Sequence, residues 1–175
     1  MKTEPRLTFG EALINGFFIH KNDEGRSRRS EFWWCALFLF IASTATDVAT
    51  YLLQEHTAIN NEYIGTASIL ANVYFAGAFS ILLRRRLNDT GKPRLFYVFI
   101  LLACATFLLA ALHSIKGNGI TLAILIAAGI LTIISLAACL WQCTRDSEMF
   151  SNRYGKSPKY IDEFADVYIE MPTVK

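Results

Sequence analysis

Four long apolar stretches dominate this sequence and leave few folds open to it. They run from Phe32 to Leu53, Tyr63 to Leu83, Leu95 to Leu112 and Ile120 to Trp141. A helix rises 1.5 Å per residue, so about 20 residues cross the roughly 30 Å hydrocarbon layer of a bilayer. The third stretch is the shortest, but Lys92 and Arg94 at its start can extend towards the headgroups and relieve the mismatch. With 53% hydrophobic and only 18% charged residues, the chain is too apolar for an ordinary soluble domain. The expected fold is all-α: a four-helix transmembrane bundle with a short N-terminal interfacial helix.

The charges between the spans predict their orientation. Six basic residues precede the first span (Lys2, Arg6, Lys21, Arg26, Arg28, Arg29), five lie between the second and third (Arg84, Arg85, Arg86, Lys92, Arg94), and five follow the fourth (Arg145, Arg153, Lys156, Lys159, Lys175). The other two loops contain only Lys116. Lys and Arg close to span ends are retained on the cytoplasmic side, so sixteen of seventeen on one side predicts cytoplasmic N and C termini. The net charge of +2 gives no reason to expect a nucleic-acid partner. The polar lead before Phe32 is too long for the charged region of a signal peptide, and three further apolar runs follow, so the first span is expected to be retained. The chain divides into a cytoplasmic segment (1–31), a membrane domain (32–141) and a cytoplasmic tail (142–175).

Local signals refine this layout. Thr8 followed by Glu11 is a capping-box pattern, and Phe9, Leu13, Phe17 and His20 then recur at helical spacing. Such a helix lies in the membrane interface or packs against the cytoplasmic ends of the spans. Gly91 suits a left-handed helix end and Pro93 the first turn of the next helix, predicting a tight antiparallel hairpin of spans two and three. The tail turns at Asn152 to Pro158, and the spacing of Ile161, Phe164 and Tyr168 among carboxylates allows a short amphipathic helix. Cys35, Cys104, Cys139 and Cys143 lie in or beside apolar runs, which favours packing over disulfides. Cys139 and Cys143 are one helical turn apart, but no nearby His or Cys completes a metal set, and no metal or cofactor is expected.

Three polar motifs fall on the basic side: Gly25 to Trp34 (GRSRRSEFWW), Arg85 to Gly91 (RRLNDTG) and Asn152 to Pro158 (NRYGKSP). In that order around four spans, the chain resembles the bacterial inner-membrane family known as domain of unknown function 805, over about residues 9 to 158. Asn88 stands where that family typically has His, and Arg94, Leu95 and Phe96 where it typically has tryptophans. Asp146 to Ser151 (DSEMFS) replaces its usual glycine-containing lead. The resemblance implies a topology and a bacterial inner-membrane location, with no established activity.

The candidate site is a charged collar on the basic side, comprising Arg26, Arg28, Arg29, Glu31, Arg85, Arg86, Asp89, Asn152 and Arg153. Its carboxylates can clamp helix ends through guanidinium pairs, with Glu31 expected to meet Arg85 or Arg86, and Asp89 to meet Arg28, Arg29 or Arg153. Arg26, Arg28, Arg29, Arg84, Arg85 and Arg86 are also candidates for binding anionic lipid headgroups. Asp47 lies about 22 Å along the first span, where an acid raises a functional hypothesis, with Asn72 or His113 as its partner. Its alternative role is interfacial or a cap on a local bend. Ala67, Ala71, Gly77, Ala127, Ala128 and Gly129 allow close helix packing, and a homo-oligomer face is a second use for them. No catalytic motif is recognisable. The expectation is a non-catalytic inner-membrane protein whose partners are membrane lipids or a cytoplasmic protein. The alternative is a subunit of an oligomeric transporter or channel using Asp47 and Asn72.

Overall fold

A computed structural model of the protein describes residues 2, 3, 5, 7–19, 25–56 and 61–161. The fold is all-α, with four helices long and apolar enough to cross a membrane. These are α2 (Arg29–His56), α3 (Asn61–Asp89), α4 (Arg94–Lys116) and α5 (Gly119–Thr144), preceded by the short α1 (Phe9–Leu13). At 23 residues, α4 is about 34 Å long, so the shortest apolar run still belongs to a spanning helix. Two-residue strands β1 (Lys2–Thr3) and β2 (Tyr160–Ile161) form an antiparallel ladder.

Helix α1 starts at the expected capping box: the Glu11 amide donates to the Thr8 hydroxyl at 3.4 Å, and the Thr8 amide donates to Glu11 Oε2 at 2.8 Å. The Thr8 amide and hydroxyl together hold the Glu11 carboxyl below its usual range. The chain then widens into a π-helical segment, Ile14–Ile19. One face packs on the start of α2, through edge contacts of Phe9 with Trp34 and Phe17 with Phe38. Gly16 makes this approach feasible, because a Cβ there would lie 2.5 Å from Cys35 Sγ. Ile14 and Phe18 remain exposed on the outer side, as an interfacial element requires. His20 lies outside the described residues.

The start of α2, the end of α3, the start of α4 and the end of α5 meet at one end, termed the basic end below. Buried apolar side chains concentrate there: Phe32, Cys35, Leu39, Leu82, Leu83, Leu87, Cys139 and Cys143. Farther along the helices most large apolar residues face outward, including Phe40, Leu101, Phe107 and Ile133. Lipid tails suit these faces as well as a protein core would, so the spans need no dense interior along their whole length.

The expected hairpin of spans two and three needs correction. The turn is tight, with Gly91 at φ +69° and α4 beginning directly after Pro93. Laterally, however, α2 packs on α3 and α4 on α5, while α3 and α4 touch sparsely. Polar side chains explain this pairing. Ser43 on α2 donates to Asn72 Oδ1 on α3 at 2.7 Å, and Asn72 Nδ2 donates to Asp47 Oδ1 at 2.9 Å. Between α4 and α5, the Thr106 and Thr132 hydroxyls are 2.8 Å apart, as are His113 Nδ1 and Thr121 Oγ1. A polar group in a span without a partner is penalised, so these bonds select neighbours that the turn alone does not.

Two of the small residues, both glycines, behave differently from expectation as well. A Cβ added at Gly77 or Gly129 would meet nothing within 4 Å, so neither glycine mediates a close helix approach within the chain. The turn-rich stretch closes on itself between Asn152 and Gly155, with backbone bonds of 3.1 and 2.9 Å. Ile161 belongs to β2, and the rest of the amphipathic helix expected in the tail lies outside the described residues.

Candidate functional site

The three polar motifs converge at the basic end into one buried network. Its centre is Asp89, the last residue of α3, whose side chain is fully buried. One carboxylate oxygen accepts from Arg26 Nε at 2.9 Å, and the other accepts from Arg86 Nη1. Arg86 precedes Asp89 by three residues on the same helix face. Arg26 arrives on the extended segment leading into α2, which is tied to α3 by the Ser27 amide donating to the Arg85 carbonyl at 3.3 Å.

Both guanidiniums also collect backbone carbonyls. Arg26 donates to the carbonyls of Glu148 at 2.7 Å, Phe150 at 2.8 Å and Gly155 at 3.2 Å. Arg86 donates to those of Cys143 at 3.1 Å and Ser27 at 3.2 Å, and to that of Arg145. The last turn of a helix leaves carbonyls without intrahelical donors, so Arg86 in effect caps α5 from a neighbouring helix. Arg29 adds a bond to the Thr144 carbonyl at 3.3 Å. The loop is held further by the Glu148 amide on the Asp89 carbonyl at 3.1 Å and by Asn152 Nδ2 on the Asn88 carbonyl at 3.0 Å.

A second pair lies on the α1 side. Arg85 Nη2 donates to Glu31 Oε1 at 2.8 Å, with both side chains buried, and Arg85 Nη1 reaches the Gly16 carbonyl at 3.5 Å. Among the described residues, Arg26 and Arg86 share Asp89 while Arg85 meets Glu31, and backbone carbonyl dipoles take up the remaining N–H groups of Arg26 and Arg86. Burial of this kind makes every member sensitive to the loss of its partner.

These positions match the sequence expectations unevenly. Glu31 meets Arg85 as expected. Asp89 does not meet Arg28, Arg29 or Arg153; its partners are Arg26 and Arg86. Arg153 instead donates to the Tyr154 hydroxyl and lies over that ring, 4.6 Å from its centre. Of the six arginines considered for headgroups, Arg26, Arg28, Arg85 and Arg86 are buried, Arg84 is half-buried over Tyr97, and Arg29 is exposed. Asp47 pairs with Asn72, whereas His113 bonds to Thr121. Sequence reasoning missed the Glu148 amide, the Ser147 hydroxyl that accepts from Arg86 Nη1 at 3.4 Å, and the carbonyls of residues 143–155. The replaced lead at Asp146 to Ser151 was the only signal there.

Residues 21–156 match the model of a family described as a protein of unknown function, DUF805. The chain belongs to the DUF805 family. The match runs from the segment before α2 to the turn after α5 and begins beyond α1 and Gly16. The resemblance read from the motifs began earlier, at about residue 9. Comparison with curated proteins and with solved structures found no match. Membership in DUF805 agrees with four spanning helices and brings no activity with it.

Proposed function

We propose that this protein is a non-catalytic component of the bacterial inner membrane, with both termini cytoplasmic, whose basic end holds anionic lipid headgroups. The observation that carries this reading is the division of labour among its cations. Arg26, Arg85 and Arg86 are consumed by the buried network. A perimeter of Arg29, Lys92, Arg94, Arg145 and Arg153 remains exposed where four apolar helices begin or end. Each such cation contributes about 1 kcal/mol of attraction to an anionic membrane surface. Trp33 and Trp34, both partly exposed on the first turns of α2, supply the interfacial aromatics that hold a helix at that depth.

Native mass spectrometry of the detergent-extracted protein tests the reading. Phosphatidylglycerol or cardiolipin should be retained in preference to neutral lipid and released as salt rises. Equal retention of neutral lipid would remove it. The orientation is tested by single cysteines in a cysteine-free background. Those at Ala58 and Lys116 should react with an impermeant reagent in intact cells, and those at Asn22 and Lys92 should not. The transporter alternative gains no support from Asp47 and Asn72, which bond to each other along the α2–α3 contact.

A further inference from the structure

We infer that the cavity between the α3–α4 turn and residues 148–154 is a binding site for one phosphate group. This inference rests on the reading above for its preferred source of that group, an anionic lipid. The cavity has a volume of about 510 Å³, enough for a headgroup. Lys92 and Arg94 line one side, and Arg153 and Tyr154 the other. Lys92 and Arg94 are exposed and make no ion pair among the described residues. Arg153 is braced by Tyr154, lying over its ring and donating to its hydroxyl from one Nη, which leaves its other N–H groups for phosphate oxygens.

One carboxylate, Glu148, shares the lining. Its Oε2 accepts from Asn152 Nδ2 at 3.0 Å, and its head lies against Gly91, where any added Cβ would collide with it. Glu148 is therefore tied to the wall, and three cations against one anion leave the cavity positive. The depth favours lipid. Leu95, also in the lining, opens the apolar run of α4, so the cavity lies where the membrane begins. Tyr97 and Val98, half exposed on the next turn, offer a track for an acyl chain. A phosphorylated solute offers the same phosphate chemistry without the tail.

The test titrates the full chain in detergent with short-chain phosphatidylglycerol, short-chain phosphatidylcholine and inorganic phosphate. Wild type should bind phosphatidylglycerol more tightly than the other two. Arg94→Gln with Arg153→Gln should weaken that binding roughly tenfold, two charge-assisted contacts being lost. Arg145→Gln, a perimeter cation outside the cavity, should weaken it by no more than the loss of one surface charge, well short of the cavity pair. Glu148→Gln should tighten it, an opposite sign that misfolding would not produce. Phosphate binding as tight as phosphatidylglycerol, with the same variant pattern, would support the site and assign it to a soluble ligand. Phosphatidylglycerol binding weakened equally by Arg145→Gln and the cavity pair would overturn the site while keeping the lipid-binding perimeter. No preference for phosphatidylglycerol or phosphate over phosphatidylcholine would overturn both.

Discussion

Arg85 on α3 donates to Glu31 on α2 at 2.8 Å, and neither side chain reaches solvent. A buried pair of this kind is exposed most clearly by removing one partner. Glu31→Gln takes the carboxylate charge away from a buried guanidinium, at an expected cost of about 3 kcal/mol or more. Glu31→Arg should lower the thermal midpoint in detergent further, and adding Arg85→Glu should recover part of the loss. Strictly additive losses would remove the coupling.

Asp89 should be the more sensitive position, because one carboxylate serves Arg26 and Arg86 together. Asp89→Asn keeps the shape and removes the charge, with an expected loss of about 3–5 kcal/mol. The loop after α5 should loosen at the same time, since both arginines also hold its carbonyls. Limited proteolysis should then cut between residues 145 and 158 in the variant and spare wild type. A thermal midpoint close to wild type with unchanged protection would contradict the central role of Asp89.

Gly91 has φ +69° and lies directly against Glu148. Gly91→Ala should cost more than the about 1–2 kcal/mol of a Cβ in the left-handed region, because that Cβ also collides with Glu148. Paired with Glu148→Ala, the same change should retain only the backbone part of that cost. An unchanged midpoint for Gly91→Ala would show that the turn can relax.

Asn72 joins Ser43 and Asp47 across the α2–α3 contact. Asn72→Leu should destabilise the protein by about 0.6–1.7 kcal/mol, the range of interhelical hydrogen bonds in membranes. A double-mutant cycle with Asp47→Asn checks this. Zero coupling would mean that the bond does not choose the neighbouring helix.

Beyond α5, Lys159 donates to Asp146, which holds the Asp146 carboxyl below its usual range and pushes the Lys159 amine up. The Asp146 contribution to stability is complete above its unfolded value and is lost as pH falls through its lowered folded value. The Lys159 contribution is complete below the ordinary lysine value and is lost as pH rises through its raised one. The pair should therefore hold across the neutral range and open only towards the acid and alkaline extremes. Carbon-detected titration of Asp146 should show the depressed value, and Lys159→Ala should return it towards that of a free carboxylate.

The elements that could be read in advance rest on local patterns. Apolar length announces a span wherever it occurs, Thr8 and Glu11 carry a cap within four residues, and Gly91 marks its turn unaided. Lateral pairing has no such signature. The Gly91–Pro93 turn prescribes a path for the chain, while Asn72 and Thr106 prescribe the neighbours, and each is one polar residue among several in its span. The collar is legible as a cluster and in the pairing of Glu31 with Arg85, and misread in the partners of Asp89. Arg86 lies one turn from Asp89, but Arg26 acts largely through carbonyls of residues 148–155, and a carbonyl is the same atom in every residue.

The bonds from Arg26 to Glu148, Phe150 and Gly155 bridge separations of 122 to 129 residues. This spacing has a consequence for biogenesis. When the first helical pair has entered the bilayer, the carbonyls that Arg26 requires have not yet been synthesised. The basic end must wait, open, until the fourth helix and the loop beyond it emerge from the ribosome. Closure is then a late event that reports on completeness: a chain interrupted before residue 148 can insert its helices, but it has nothing with which to lock them.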